Sequence, residues 1–341
     1  MKTEAFVLTK NGKSSEAFSL QEIQLRSLNE EEIVIETEAF GLNYADVMAR
    51  QGLYRETPPL PCVIGYEVVG RVVKTASPTN EHLLGKRVIA ITHFGGYAKH
   101  AIAPVSTVYD IHDLNANTAL ALTTQGVTAY YMTHYIAPIK KNDQVLIHAA
   151  AGGVGTLLIQ LAKLAGATVF AKVSSNEKAQ KCTELGADYT INYKMVDYAV
   201  EIQKILGQKK IDVCYNPIGG STFKLDKNLM TAGSRLFLFG GSQLSEGKKG
   251  VLSQLNFLRK MGVLIPAFMM MQSKTIIGVN MLKIATQRPD VLKHCLEEII
   301  KLHKGGFIQP ENGGEFQFDQ LAQAHDLLQS GKSIGKISIH W

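Results

Sequence analysis

The stretch His148-Ala149-Ala150-Ala151-Gly152-Gly153-Val154-Gly155 carries the most specific chemistry in the chain. Ala150, Gly152 and Gly155 occupy three small-residue positions whose spacing suits a diphosphate. The first makes a tight turn, the second lets a pyrophosphate approach the backbone, and the third lets the following helix pack close to its strand. Gly153 and Val154 complete the turn, and free N–H groups at a helix start meet negative phosphate. A glycine cluster alone marks any sharp strand-to-helix turn. Here the apolar run at 145–149 precedes it, a helical pattern at 156–165 follows, and a second apolar run comes at 169–173. That context favours a dinucleotide cofactor. The residue ending the second strand then selects among nicotinamide cofactors, because an acid there binds a ribose 2'-hydroxyl and repels a 2'-phosphate. The chain offers Lys172-Val173-Ser174-Ser175-Asn176 and no carboxylate. Ser174 can donate a hydrogen bond and Lys178 can supply charge, so the pattern favours NADPH. A solvated helix lysine is the plain alternative for Lys178.

These residues need elements to hold them. Strand and helix patterns alternate from residue 145 onward, with further strands at 212–215 and 236–239 and a helix at 177–185, and parallel strands joined this way need right-handed crossovers. The N-terminal third has a different grammar. Short β-branched runs at 33–35, 68–73 and 87–91 are punctuated by Gly and Pro, which reads as a β-rich, barrel-like lobe. Near the end, Pro289 opens a helix with Val291, Leu292, Cys295, Leu296, Ile299 and Ile300 on one face. A second helix follows over 319–331, and Ile337, Ile339 and Trp341 alternate as an amphipathic terminal strand that needs a sheet to join. The expected partner is the first lobe.

A length of 341 residues, 45% hydrophobic and 19% charged, implies a folded chain of about two domains. The longest apolar run, 261–271, is broken by Gly262 and Pro266 and falls short of the ~20 residues that span a bilayer. The first residues carry Glu4 and no long apolar stretch, so the expected location is the cytoplasm. Cys62, Cys182, Cys214 and Cys295 lie dozens of residues apart, which gives neither a disulfide framework nor a structural zinc pattern. His93, His100, His134 and His148 lack metal-ligand spacing and read as structural or surface residues. The 36 Lys and Arg exceed the 30 Asp and Glu but are scattered, without the basic stripe that nucleic acid needs. The run Phe268-Met269-Met270-Met271 reads as core packing, with a pliable cleft wall or a dimer contact as the alternative.

Three further segments, residues 41–54 (GLNYADVMARQGLY), Gly65-Tyr66-Glu67 with Gly70, and Asn216-Pro217-Ile218-Gly219-Gly220, join the glycine turn in one pattern. Together they resemble the zinc-free quinone oxidoreductase branch of the medium-chain dehydrogenase/reductase superfamily, and within it the vesicle amine transport protein homologues. The resemblance spans nearly the whole chain, to Phe316–Asp319 and the closing Gly335-Lys336-Ile337. It implies an α/β protein: a discontinuous GroES-like β-rich catalytic domain at 1–122 and 274–341, and a Rossmann doubly wound domain at 123–273. It also implies an active site in the cleft and a homodimer formed through the Rossmann edge.

Zinc-dependent cousins place Cys where Asn43 stands and His where Tyr66 stands, so the resemblance implies metal-free catalysis. An oxygen that gains charge on hydride transfer then needs hydrogen-bond donors, and Asn43 and Tyr54 are the candidates. The plainer readings are a turn-forming Asn43 and a half-buried aromatic Tyr54. By the same carry-over, Thr128, Gly240 and Gly241 line the nicotinamide, and Tyr193 approaches the adenosine 2'-phosphate. Asp46 reads as a structural acceptor. The implied activity is NADPH-dependent reduction of a small-molecule quinone or α,β-unsaturated carbonyl. An enoyl thioester reductase and a non-enzymatic NADPH-binding protein with a lipid- or partner-binding cleft are the alternatives.

Overall fold

Alternation with Gly and Pro punctuation builds an antiparallel β unit, and strand–helix alternation builds a parallel one. The computed structural model of the protein describes residues 1–245 and 251–341. The chain forms two units, one of Met1–Val127, Met281–Lys301 and Pro310–Trp341, the other of Thr128–Asn280 and Leu302–Gln309.

The first unit holds strands β1 (Lys2–Leu8), β2 (Phe18–Gln24), β3 (Glu32–Leu42), β4 (Cys62–Val63), β5 (Glu67–Thr75), β6 (Arg87–Ile91), β7 (His100–Pro104) and β8 (Val108–Asp110). Helix α1 (Tyr44–Arg50) follows β3. The second unit holds β9 (Gln144–Ile147), α2 (Gly153–Leu164), β10 (Thr168–Val173), α3 (Asn176–Glu184), β11 (Tyr189–Asn192), α4 (Tyr198–Leu206) and β12 (Ile211–Asn216). It continues with α5 (Ser221–Leu229), β13 (Met230–Leu238), α6 (Val251–Met261), α7 (Pro266–Gln272) and β14 (Thr275–Gly278). The chain ends with β15 (Asn312–Gln317) and β16 (Lys336–His340).

The six strands of the second unit run parallel in the order β11-β10-β9-β12-β13-β14. The chain leaves β9 toward β10 and β11, then returns to the other side of β9 for β12. That reversal makes a topological switch point, beside which α/β sheets bind ligands at the strands' C-terminal ends. The middles of strands β9, β10 and β12 are apolar because helices cover both faces; Leu146, Phe170 and Cys214 are fully buried.

In the first unit a seven-stranded sheet carries the order β15-β16-β3-β5-β6-β8, with β7 also paired to β3, and β2-β1-β4 forms a smaller sheet. The terminal strand joins the first unit, as its pattern requires: β16 lies between β15 and β3. It is not amphipathic, however. Lys336, Ile337, Ser338 and Ile339 are all buried, because both edges and both faces of β16 are covered. Trp341 lies beyond the strand and stacks on Phe318, with ring centroids 5.4 Å apart. The reading of Phe268–Met271 as core also fails: Phe268, Met270 and Met271 are exposed, and none of α7 is buried.

Lys336 is the least expected core residue. Its ammonium, wholly buried, pairs with the equally buried Glu67 carboxylate and donates to the carbonyl of Leu42 and to Oδ1 of Asn43, each at 3.2 Å. Such a pair holds only while both partners remain, since one alone is a charge stranded in a low dielectric. Lys336→Met is therefore expected to destabilise the protein by about 3–5 kcal/mol, and adding Glu67→Gln to recover part of that loss. Denaturant unfolding of the single and double variants checks both.

Candidate active site

The glycine turn sits at the switch point, directly after β9. His148 N–H donates to the carbonyl of Tyr215 at 3.0 Å, which extends the sheet by one residue before the chain turns. The left-handed residue of the turn is Ala149, with φ of 48°, and not Ala150, to which the sequence reading gave the tight turn. Ala150 instead donates its N–H to the carbonyl of Lys172 at 3.2 Å and ties the turn to β10. At Gly155 a Cβ would lie 2.5 Å from the carbonyl oxygens of both Ala149 and Ala150, so only glycine lets α2 start this close to β9. At Gly152 a Cβ would meet a single atom, the Ala149 oxygen at 3.2 Å, which leaves the approach to the turn open. Gly152 is the N-cap of α2 and has no side chain to cap it. The N–H groups of Gly153, Val154 and Gly155 therefore start the helix without intrahelical acceptors. A bare helix N-terminus of this kind, with its partial positive charge, can hold a diphosphate.

The candidates for the far end of the cofactor gather on the neighbouring strand ends. Tyr193 N–H donates to the carbonyl of Val173 at 3.1 Å, so Ser174 and Tyr193 leave adjacent strands β10 and β11 together. Ser175 caps α3 by accepting the N–H of Lys178 at 3.3 Å. Lys178 is buried and not a solvated helix lysine; burial, with Lys194 nearby, lowers its pKa from the ordinary lysine value. Gly240 closes the turn after β13 against the turn after β12: a Cβ there would lie 2.5 Å from the Pro217 carbonyl oxygen. Asn216 shapes that second turn, its Oδ1 accepting the N–H groups of Ile218 and Gly219 at 2.8 and 2.9 Å. Gly241 follows Gly240, and Thr128 is buried on the helical segment Val127–Tyr130.

Beneath the glycine turn lies a buried network that the sequence reading missed. The Lys172 ammonium sits 4.8 Å from the ring centroid of Tyr193, 4.1 Å from that of Tyr198, and 3.3 Å from His148 Nδ1. An ammonium has no lone pair, so Nδ1 accepts and Nε2 carries the proton that the Asp226 carboxylate accepts at 2.9 Å. Asp226 also accepts from the Tyr198 hydroxyl at 2.9 Å and the Asn216 amide at 2.5 Å. Burial alone would raise the Asp226 carboxyl, but His148, Tyr198 and Asn216 hold it below the ordinary carboxylate value. Among the described residues, His148, Cys214 and Asp226 form a trio whose ligand-type atoms lie within 4.8 Å of one another. The carboxylate is already engaged three times, and Lys172 supplies the adjacent positive charge. The trio therefore works as a hydrogen-bond network, which agrees with His148 as a structural histidine.

The first unit brings Asn43 and Tyr54 into one neighbourhood. Asn43 caps α1 in a reciprocal box in which its own N–H donates to Asp46 Oδ2 at 2.8 Å. Its amide bridges the buried charges, Nδ2 donating to Glu67 at 2.9 Å while Oδ1 accepts from Lys336. Glu67 also accepts the N–H of Thr124 at 2.7 Å, from a stretch of wider π-type helical turns over Ala121–Gly126. Tyr54 is half-buried and meets Tyr66 edge-on at 6.1 Å, and Tyr66 packs on Phe94 at 5.3 Å. Burial first, then the charges of Glu56 and Asp46, push the Tyr54 phenol up to about 12, so it stays a hydrogen-bond donor across the neutral range. Asp46 is an acceptor, as expected, but it is not isolated: Tyr97, Glu67 and Lys336 surround it, and burial pushes its carboxyl up to about 8.

Comparison with known proteins sharpens this picture. Residues 153–297 match the family described as zinc-binding dehydrogenase, and residues 29–132 match the alcohol dehydrogenase GroES-like domain. The Escherichia coli quinone oxidoreductase 1 is 33% identical over 236 residues, 66% of this chain and 70% of that one. The human synaptic vesicle membrane protein VAT-1 homolog is 29% identical over 308 residues, 90% of this chain and 78% of its own. The crystal structure of Escherichia coli quinone oxidoreductase complexed with NADPH superposes with a TM-score of 0.84 at 26% identity, covering 99% of this chain and 100% of that one.

Asp46 gives this site a pH signature. A carboxyl whose folded pKa is raised from 3.8 to about 8 stabilises the fold fully below the lower value, and that contribution is lost as pH rises through the upper one. The parent is expected to lose stability between those limits, and Asp46→Asn to flatten the slope, read from unfolding curves at stepped pH.

Proposed function

The chain belongs to the quinone oxidoreductase branch of the medium-chain dehydrogenase/reductase superfamily, and on that premise we propose that it reduces a quinone or an α,β-unsaturated carbonyl with hydride from NADPH, without a metal ion. The observation that carries the reading is the uncapped start of α2 at the switch point, which only glycine at 155 permits. There the N–H groups of Gly153, Val154 and Gly155 bind the diphosphate, with Ala150 and Gly152 leaving it room. Ser174, Lys178 and Tyr193 bind the 2'-phosphate of NADPH, and Thr128, Gly240 and Gly241 line the nicotinamide.

Asn43 and Tyr54 are proposed to act on the acceptor. The phenol of Tyr54 donates to the oxygen that gains charge, and the Asn43 amide, held by Glu67 and Lys336, orients the carbonyl. A metal-free reaction is supported by the side chains at the two positions where zinc-dependent relatives carry Cys and His. Asn43 is engaged with Glu67 and Lys336, and the Tyr66 ring is buried against Tyr54 and Phe94. Neither supplies the N/S donor set that zinc prefers. The enzyme is further proposed to act in the cytoplasm as a homodimer. Strand β14, paired by β13 on one side, ends the described sheet and offers a second copy its outer row of N–H and C=O groups.

Steady-state oxidation of NADPH and NADH against a panel of quinones, enals and enoyl thioesters tests the reading. Turnover of quinones or enals with NADPH is expected; turnover of enoyl thioesters alone would move the substrate assignment, and binding without turnover would leave a cofactor-binding protein. Tyr54→Phe should lower kcat about 100-fold with NADPH affinity unchanged. Lys178→Ala should weaken NADPH roughly 10- to 100-fold and leave NADH nearly unaffected, as titration calorimetry with each cofactor would show.

A further inference from the structure

No carboxylate stands at the end of β10, but a buried cation does. Lys172 lies one residue before the end of the strand and is only 5% exposed. Its ammonium meets two aromatic rings, with the centroid of Tyr198 at 4.1 Å and that of Tyr193 at 4.8 Å. The two rings are held differently. Tyr198 is buried at the start of α4 and donates its hydroxyl to Asp226, so it stays in place without the lysine. Tyr193 follows β11, and its side chain lies in a residue that is 45% exposed. Fixing such a ring costs rotamer freedom, and a desolvated ammonium against its face offsets that cost.

The ammonium is itself anchored from inside. It donates to His148 Nδ1 at 3.3 Å, and His148 Nε2 donates to the Asp226 carboxylate at 2.9 Å. The carbonyl of Lys172 accepts the N–H of Ala150, so one residue meets the glycine turn through its backbone and Tyr193 through its side chain. Asp226 is wholly buried whereas Tyr193 is open to solvent, so the network runs from a negative inner end to a positive outer one. We infer that Lys172 is a positioning residue for cofactor choice: its ammonium fixes the Tyr193 ring and thereby favours a nicotinamide cofactor that carries a 2'-phosphate over one that does not. The inference rests on the reading above that Tyr193 meets that phosphate. A lysine that merely neutralised Asp226 would affect both cofactors alike.

Titration calorimetry of the full chain with NADPH and with NADH tests this. Lys172→Met should weaken NADPH about tenfold and leave NADH within about twofold of the parent. Tyr193→Leu should also weaken NADPH selectively, and adding Lys172→Met to it should cost less than about twofold more, because the lysine acts through the ring. Lys172→Met alone strands the Asp226 charge, so the pair Lys172→Met with Asp226→Asn is measured beside it. That pair should keep the parent's circular dichroism and show the same selective loss. Three results would each overturn the inference: NADPH affinity unchanged by Lys172→Met, an equal loss for both cofactors in the charge-neutral pair, or fully additive losses in the variant lacking both Lys172 and Tyr193. A parent that does not prefer NADPH would overturn it together with the cofactor reading, whereas the other three leave that reading standing.

Discussion

Two opposite charges with no water around them, on Glu67 and Lys336, set the geometry of the first unit. Removing two ions from water costs more than their attraction returns unless every remaining lone pair and proton is also engaged. This pair meets that demand with backbone and side-chain partners from three places in the chain. Leu42 offers its carbonyl at the end of β3, Asn43 its amide at the start of α1, and Thr124 its N–H from the widened helical stretch, while Lys336 comes from the last strand. Gly41 is part of the same requirement, since a Cβ there would collide with both charged groups. The candidate donor Asn43 is therefore oriented by the ion pair rather than by its own turn.

The second unit solves an analogous problem under the glycine turn. Lys172 and Asp226 are buried, and His148 stands between them as acceptor to one and donor to the other. Because His148 precedes Ala149, the left-handed residue of the turn, the network fixes the backbone at the point where the chain leaves β9. Asn216 links the same carboxylate to the turn after β12. The two strand ends flanking the switch point are thus held by one carboxylate. Asn216 therefore does two things at once, shaping its turn and donating to Asp226.

Much of this is legible in the sequence. Local patterns carried it: strand–helix alternation, the small residues at 150, 152 and 155, the face of Val291 to Ile300, and the return of the terminal strand. What escaped depends on partners far apart in sequence. Glu67 and Lys336 are 269 residues apart, and His148 and Asp226 78, so no spacing rule joins them. The misplaced turn residue has a different cause. Alanine adopts a positive φ only at some cost, so the sequence gives no sign that Ala149 rather than a glycine takes that conformation. The terminal strand misled because an alternating pattern normally means one wet face, whereas here a lysine and a serine are the buried alternates.

The same rule explains why one helix stands out. The two buried networks pair their charges: the Lys336, Glu67, Lys172, Asp226 and His148 side chains are each hydrogen-bonded inside. Helix α7 does the opposite and leaves Phe268, Met270 and Met271 exposed. Three consecutive methionines after an exposed phenylalanine offer soft, adaptable surface. Site and surface therefore follow from one constraint, that a low-dielectric environment must be matched by what the chain presents to it.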